Sequence, residues 1–280
     1  MTTIKTLESL KKGALLNCFN AAFSDYLIPL KLTAENLKSK IIAENIDLKK
    51  SVGAFKEDKL IGFVIHGIKR EGYIKLAYNG GTGVIPSERG NGLTIKMYDF
   101  IIPKLQQAGI SQLILEVISN NHPAIKSYQK IGFKTTRRLI CYRGEIKIKK
   151  VNTEIQIHPI TKPDWQAIGQ LGEVEPSWQN SNTAIQNLGE TMEVLGAYRD
   201  QNICGYIVLN KSNNRIVQLA VHPERRHEKV GTAILNHVCN NYSNSTSMIN
   251  VDANHESINK FLVYSGLTNF LEQKEMKFKI

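Results

Sequence analysis

Gly83-Val84-Ile85-Pro86-Ser87-Glu88-Arg89-Gly90-Asn91-Gly92-Leu93-Thr94 is the stretch on which the fold turns. The β-branched residues stop at Pro86 and a new periodic segment opens at Leu93, so a strand ends and a helix begins within about eight residues. The amides of that helix's first turn lack intrahelical partners, and the macrodipole adds partial positive charge, so the turn attracts phosphate. Gly90 and Gly92 let the backbone approach a ligand without Cβ clashes, and Arg89 adds a charged bidentate donor. On its own, Arg-Gly-x-Gly also reads as a plain strand-to-helix turn. A nucleotide P-loop needs a Gly-Lys-Ser/Thr ending that is absent, and the dinucleotide fingerprint needs a third glycine and a later acidic residue.

Downstream, Leu113-Ile114-Leu115-Glu116-Val117-Ile118 has strand length and composition, which completes a β-α-β unit. A second helix follows, with Asn121 suited to its N-cap, Pro123 tolerated in its first turn and Gly132 suited to its stop. Asn121, Ala124 or Ile125, and Tyr128 share one face of that helix. Two turns span roughly 10 Å, so Asn121 can sit near a phosphate while Tyr128 lies deeper along the same ligand. Taken alone, Tyr128 also suits an amphipathic core position.

Together, Val84-x-Pro86-x-x-Arg89-Gly90-x-Gly92 and Asn121-x-x-Ala124-x-x-x-Tyr128-x-x-x-Gly132-Phe133 resemble the GNAT superfamily, the Gcn5-related N-acetyltransferases. The resemblance implies that Arg89, Gly90, Asn91, Gly92, Leu93 and Thr94 bind the pyrophosphate of acetyl-CoA. Thr94 stands where the family pattern has a small Gly or Ala. It also implies that the strand carrying Val84 and Ile85 splays from its neighbour and bonds the pantetheine amides, and that Tyr128 protonates the departing thiolate. An amine attacking a thioester must arrive deprotonated, and the developing oxyanion needs a backbone N–H. Many relatives carry a glutamate before the cofactor loop, but this chain reads Tyr78-Asn79-Gly80-Gly81-Thr82 there. Glu116 is the best substitute base, since alternation puts it with Ile114 and Ile118, where burial would raise its pKa; a hydrogen-bonded structural carboxylate is the competing reading. His66 and Asp25 are weaker candidates, and His66 suits a satisfied core position within an apolar strand.

The chain has 280 residues, 42% hydrophobic and 22% charged, which suits two globular domains. No apolar run approaches the roughly 20 residues of a membrane helix and the first residues do not form a signal peptide, so a soluble, cytoplasmic protein without a membrane partner is expected. Cys18, Cys141, Cys204 and Cys239 are isolated, which argues against a zinc site or a disulfide framework and for reduced thiols; no metal is expected.

A break in pattern near 147–152, after strand-like residues 139–144, separates the expected catalytic domain, 1–150, from a second series, 151–280. That series opens with a strand at 154–157 and a helix at 164–171, continues through 190–196, and has strands near 204–209 and 216–221. It then echoes the first motif: Val221-His222-Pro223-Glu224-Arg225-Arg226-His227-Glu228-Lys229-Val230-Gly231-Thr232-Ala233 aligns Arg226 with Arg89, and Asn254-His255-Glu256-Ser257 echoes Asn121-His122-Pro123-Ala124. Lys229 replaces a loop glycine, and Phe261 or Leu262 stands at the tyrosine position, depending on the end from which one aligns. Tyr264 is rotated about 200° from it. The second unit is therefore expected to serve as support, a substrate wall or a homodimer surface. A retained binding site stays open, because Gly231, Ala233 and two arginines persist and Lys229 can itself reach a phosphate.

Residues 1–150 carry a net charge of +13 and residues 151–280 carry −2, within +11 for the chain. The basic excess would steer a polyphosphate cofactor or an acidic acceptor, or is simply a solvated surface. Lys and Arg are scattered and no base-reading module is visible, which argues against nucleic acid. Residues 24–30 and, in the second unit, 173–180 read as loops lining an acceptor cleft.

The expectation is an α/β protein of two tandem GNAT-like units, each a mixed, mostly antiparallel sheet flanked by helices. The first unit would move an acetyl group directly from acetyl-CoA to a primary amine on a small molecule or peptide. The alternative is a non-catalytic acyl-CoA-binding or interaction module; a longer acyl group is a further rival.

Overall fold

A computed structural model describes residues 1–148, 152, 154–172 and 175–280. The chain divides into two units: Met1–Thr136 with Lys274–Ile280, and Arg137–Gln273. In chain order the first unit holds β1 (Thr2–Thr6), α1 (Ala14–Ala22), α2 (Ala34–Ala43), β2 (Val52–Lys56), β3 (Lys59–Glu71), β4 (Ile74–Val84), α3 (Leu93–Gln107), β5 (Ile110–Ile118), α4 (His122–Ile131) and the start of β6 (Lys134–Glu145). The second holds the rest of β6, then β7 (Gln156–Pro159), α5 (Trp165–Gly169), α6 (Asn182–Leu188), β8 (Met192–Arg199), β9 (Asn202–Asn210), β10 (Arg215–Val221), α7 (Val230–Asn241), β11 (Ser245–Asp252), α8 (Glu256–Tyr264) and the first part of β12 (Leu267–Lys279).

In the first unit β1 to β4 pair as antiparallel neighbours, β4 pairs parallel with β5, and residues 274–279 of β12 follow β5 in the sheet. The sheet separates two apolar layers. On one face α3 buries Leu93, Met97, Tyr98, Ile101 and Leu105, a single helical stripe that packs on Val64, Ala77 and Leu115. On the other, Leu15, Cys18, Phe19 and Ala22 of α1 pack on Phe63 and Ile65. Alternation along β3 sends Val64 one way and Phe63 and Ile65 the other. Burying each large side chain of this kind contributes roughly 1.5–3 kcal/mol. The helix α3 continues past Pro103, which sits on its exposed side in the last turns.

In the second unit the strand order is β6-β11-β10-β9-β8-β7, with β10 and β11 parallel and the other pairs antiparallel. The helix α7 buries Val230, Ala233, Ile234, Leu235 and Val238, repeating the α3 stripe. Each unit is thus a mixed, mostly antiparallel sheet with helices on it.

The sequence puts the boundary at 150, whereas residues 137–148 fold with the second unit and residues 274–280 with the first. The polar break marks the end of a strand, not the core that the strand feeds. Met276 is fully buried in the first unit's core, and the Phe278 ring lies 5.6 Å from that of Phe133. Of the residues in that break, Lys149, Lys150 and Val151 lie outside the described residues, as do Glu173 and Val174 of the second expected acceptor loop.

Candidate active site

Strands β4 and β5 pair only from Lys75↔Ile110 to Tyr78↔Ile114. Beyond that point β4 stays bonded to β3 alone, so 79–84 and 115–118 diverge. The divergence starts at a bulge: Ile65 pairs with Gly81 and His66 with Asn79, which leaves Gly80 unmatched. Close packing explains the glycines here. A Cβ on Gly80 would lie 2.5 Å from Glu44 Oε2, and one on Gly83 would lie 2.8 Å from both Ala22 Cβ and the Phe63 ring.

At the end of β4, Ile85 donates its amide to the Ile61 carbonyl (3.0 Å), and residues Pro86–Glu88 form a 3-10 turn. Gly90 and Gly92 take left-handed φ values of 81° and 68°, and α3 begins at Leu93 with no side chain capping it. No side chain therefore takes up the first-turn amides at the helix cap. Leu93 is buried under the helix, Thr94 is partly exposed, and Asn91 donates to the Glu88 carbonyl (3.2 Å), which stiffens the loop.

Arg89 folds back from the helix N-terminus. Its Nε donates to the Val84 carbonyl (3.1 Å), its Nη2 to the Ala22 carbonyl (2.8 Å), and two 2.7 Å bonds clamp Asp25. The Arg89 hydrogen bond holds the Asp25 carboxyl below its ordinary range, so Asp25 stays charged and engaged. Asn121 caps α4 through its Oδ1 to the Ala124 amide (3.3 Å), and its Nδ2 donates to the Tyr26 hydroxyl (3.4 Å). Asp25 and Tyr26, in the expected acceptor loop, therefore meet Arg89 in the loop before α3 and Asn121 at the start of α4.

Tyr128 is buried, and its hydroxyl meets the diverging part of β4. The Asn79 amide stands 3.4 Å from it, 2.9 Å from the Tyr98 hydroxyl and 2.8 Å from Thr82 Oγ1. Burial raises the Tyr128 pKa, while hydrogen bonds from Thr82 and Asn79 oppose the rise. The Tyr98 and Phe133 rings hold it edge-on, at 6.3 and 5.7 Å between centroids. His66 closes the base of this network: its Nδ1 bonds the Lys50 carbonyl (2.8 Å), its ring stands edge-on to Tyr98, and burial lowers its pKa to about 4. A neutral core histidine results.

The opposite face of the sheet carries carboxylates. Glu116 accepts the Tyr78 phenol hydrogen on Oε2, while its Oε1 is shut off from solvent with no hydrogen-bond partner among the described residues. Burial raises the Glu116 pKa to about 7, offset by the Tyr78 bond and reinforced by the charges of Glu275 and Glu44. Glu44 is held by Lys40 at 2.5 Å. Because Asn79 and Tyr78 are neighbours on one strand, the Tyr128 and Glu116 groups approach the divergence from opposite faces.

Sequence reasoning missed Asn79, Thr82 and Tyr98, and with them Tyr78, Glu44 and Glu275. Alternation along 76–79 separates Tyr78 from Asn79, and an amide inside an apolar strand was the available signal. Glu275 lies about 160 positions from Glu116, and no local pattern could have joined them.

Two family models match the chain: the acetyltransferase (GNAT) family over residues 16–133, and the acetyltransferase (GNAT) domain over residues 173–264. The chain belongs to the GNAT superfamily as a tandem of two such domains. Among solved structures, a GCN5-related N-acetyltransferase from Sphaerobacter thermophilus superposes with a TM-score of 0.75 at 14% identity, covering 99% of this chain and 95% of the other. A tandem GNAT protein of the clavulanic acid biosynthesis pathway gives 0.69 at 12%, covering 100% and 98%. A glucosamine N-acetyltransferase region of a fungal multidomain β-N-acetylglucosaminidase gives 0.75 at 15%, covering 99% and 38%. These likenesses concern the fold. No curated protein matches the chain. Among the described residues, no helix is long and apolar enough to cross a membrane.

Proposed function

We propose that the first unit transfers an acetyl group from acetyl-CoA to a primary amine at the divergence of β4 and β5. The observation that carries this reading is the placement of the Tyr128 hydroxyl against Asn79 and Thr82 in that gap, on the strand that ends at the uncapped start of α3. The diphosphate would rest on the amides of Leu93 and Thr94, with Gly90, Asn91 and Gly92 shaping the approach and Arg89 bracing the loop. The pantetheine would run along Val84 and Ile85 towards the gap, past Asn121, and its amides would satisfy backbone groups that β5 leaves unpaired there.

The acceptor would enter from the face that carries Glu116. Glu116, with its pKa raised to about 7, in its ionised form takes a proton from the ammonium; the free amine attacks the thioester carbon, and the C–S bond breaks as the new C–N bond forms. Tyr128 donates its phenol proton to the departing sulfur from the other face, the nitrogen's second proton passes to the resulting phenolate as the amide forms, and Glu116 releases its proton to solvent. Most of the acceleration comes from holding amine and thioester together, without a covalent enzyme intermediate.

The test is CoA release from acetyl-CoA across a panel of amines, amino sugars and peptide N-termini included, compared with longer acyl thioesters. Turnover with one amine class supports the reading. Tight acetyl-CoA binding with no release for any amine reduces the first unit to a binding module.

A further inference from the structure

Three carboxylates of the first unit converge where β4 and β5 part. Glu116 of β5 takes the Tyr78 phenol hydrogen on one oxygen, and its other oxygen is shut off from solvent with no hydrogen-bond partner among the described residues. Glu44, at the C-terminal cap of α2, reaches the bulge itself: its Oε2 lies 2.5 Å from the place a Cβ on Gly80 would take. Glu275 comes from β12, the neighbour of β5. Ile280 donates its amide to the Ser111 carbonyl (3.0 Å), and counting the two strands in opposite directions from that bond brings Glu275 level with Glu116. Leu115, Val117 and Met276 belong to the core under α3, so alternation turns Glu116 and Glu275 together to the other face.

Such an arrangement is unfavourable by itself. Like charges level with each other on adjacent strands destabilise a sheet, and a buried carboxylate loses its hydration. Two of the three have a cation at hand: Lys40 lies 2.5 Å from Glu44, and Lys277 lies 3.4 Å from Glu275. Glu116 has a neutral phenol instead, and the charges of Glu275 and Glu44 act on it across the site, opposed in part by Lys40. Three anions against two cations leave one negative charge in excess, which a proton on Glu116 or an incoming ammonium neutralises. Glu44 and Glu275 are only 4% and 2% exposed, so they act on a group at Glu116 through charge and not through contact.

We propose that Glu44 and Glu275 determine acceptor specificity: they favour an ammonium at Glu116 and exclude an amine with a carboxylate beside its nitrogen, so the acceptor is not a free α-amino acid. The inference rests on the reading that the acceptor nitrogen comes to Glu116. A carboxylate one carbon from that nitrogen would add a fourth anion to the other three, in surroundings that screen charge poorly, and no described cation of the cluster is left to pair with it.

The experiment uses the full chain and sets α-amino acids against their carboxamides and decarboxylated amines: histidine with histidinamide and histamine, tyrosine with tyrosinamide and tyramine, arginine with argininamide and agmatine. The carboxamide keeps the shape and removes only the charge. CoA release from acetyl-CoA at pH 8 should favour amide and amine over amino acid by about tenfold or more in kcat/KM. Glu275→Gln and Glu44→Gln should each narrow that ratio about threefold or more. Thr136→Val deletes the hydroxyl that bonds Glu275 Oε1 (3.1 Å) and keeps every charge, so it should leave the ratio in place. A wild-type ratio near one overturns the proposal, and so does an equal shift in Thr136→Val and Glu275→Gln, because loosening and not charge would then be at work. Where no compound is turned over, the same ratio is read as affinity for the CoA-loaded chain by calorimetry. A preference there sustains this proposal while the transferase reading falls; equal binding, or none, overturns it.

Discussion

Tyr78 donates its phenol hydrogen to Glu116, and the second oxygen of that carboxylate is buried without a partner among the described residues. Burial outweighs the Tyr78 bond, so the folded state favours protonated Glu116, with a pKa near 7 against the ordinary 4.5. The native protein binds the extra proton between those values, so this group's contribution to stability is full below about pH 4.5 and is lost as pH rises through 7. At its full extent the shift is worth on the order of 3 kcal/mol. Chemical denaturation from pH 4.5 to 8 should show a smaller decline for Glu116→Gln than for wild type.

Activity should run the other way. A base with a pKa near 7 is competent once deprotonated, so kcat/KM should rise with pH through about 7. In Glu116→Gln turnover should fall and that limb should vanish. A limb that survives in Glu116→Gln assigns the base elsewhere.

Tyr128→Phe keeps the ring contacts with Tyr98 and Phe133 and removes only the proton donor. Its kcat should fall by about 10² or more while acetyl-CoA affinity holds. Steady-state kinetics beside equilibrium titration reads both quantities, and unchanged turnover at saturating substrate removes Tyr128 from the mechanism.

His66 gives the opposite slope to Glu116. Its pKa is lowered to about 4 by burial, so the unfolded chain binds more protons between about 4 and 6.5. Its contribution to stability is present above 6.5 and is lost as pH falls through 4. His66→Phe should flatten that part of the denaturation profile, whatever its effect at neutral pH.

Gly83→Ala should destabilise the first unit by about 1–3 kcal/mol, because the new methyl group meets Ala22 Cβ and the Phe63 ring at 2.8 Å. Thermal unfolding reads the loss directly.

Much of this was legible in advance because the informative contacts are local. The two left-handed glycines, the uncapped helix start and the Asn121 cap are all set within a few residues of one another. The strand carrying Glu116 was equally readable, since alternation alone puts that carboxylate on a buried face. By its place in the sequence Arg89 reads as a phosphate ligand, but its partner in the fold is Asp25, 64 positions earlier, and the fold alone decides that pairing. Asn79, Thr82 and Tyr98 form a cluster only after a bulge at Gly80 turns Asn79 and Thr82 to the same face. A period-of-two reading cannot foresee an extra residue in a strand.

Residues 274–280 complete the first unit, with Met276 in its core and Phe278 filling the space that a side chain on Gly132 would need. On the ribosome, then, the leading half must wait: its sheet cannot close until the trailing half has been translated and delivers that strand. A gene cut at codon 150 would yield an N-terminal piece with an open edge, prone to aggregate, and a synthetic peptide spanning 274–280 would be the natural agent to rescue it.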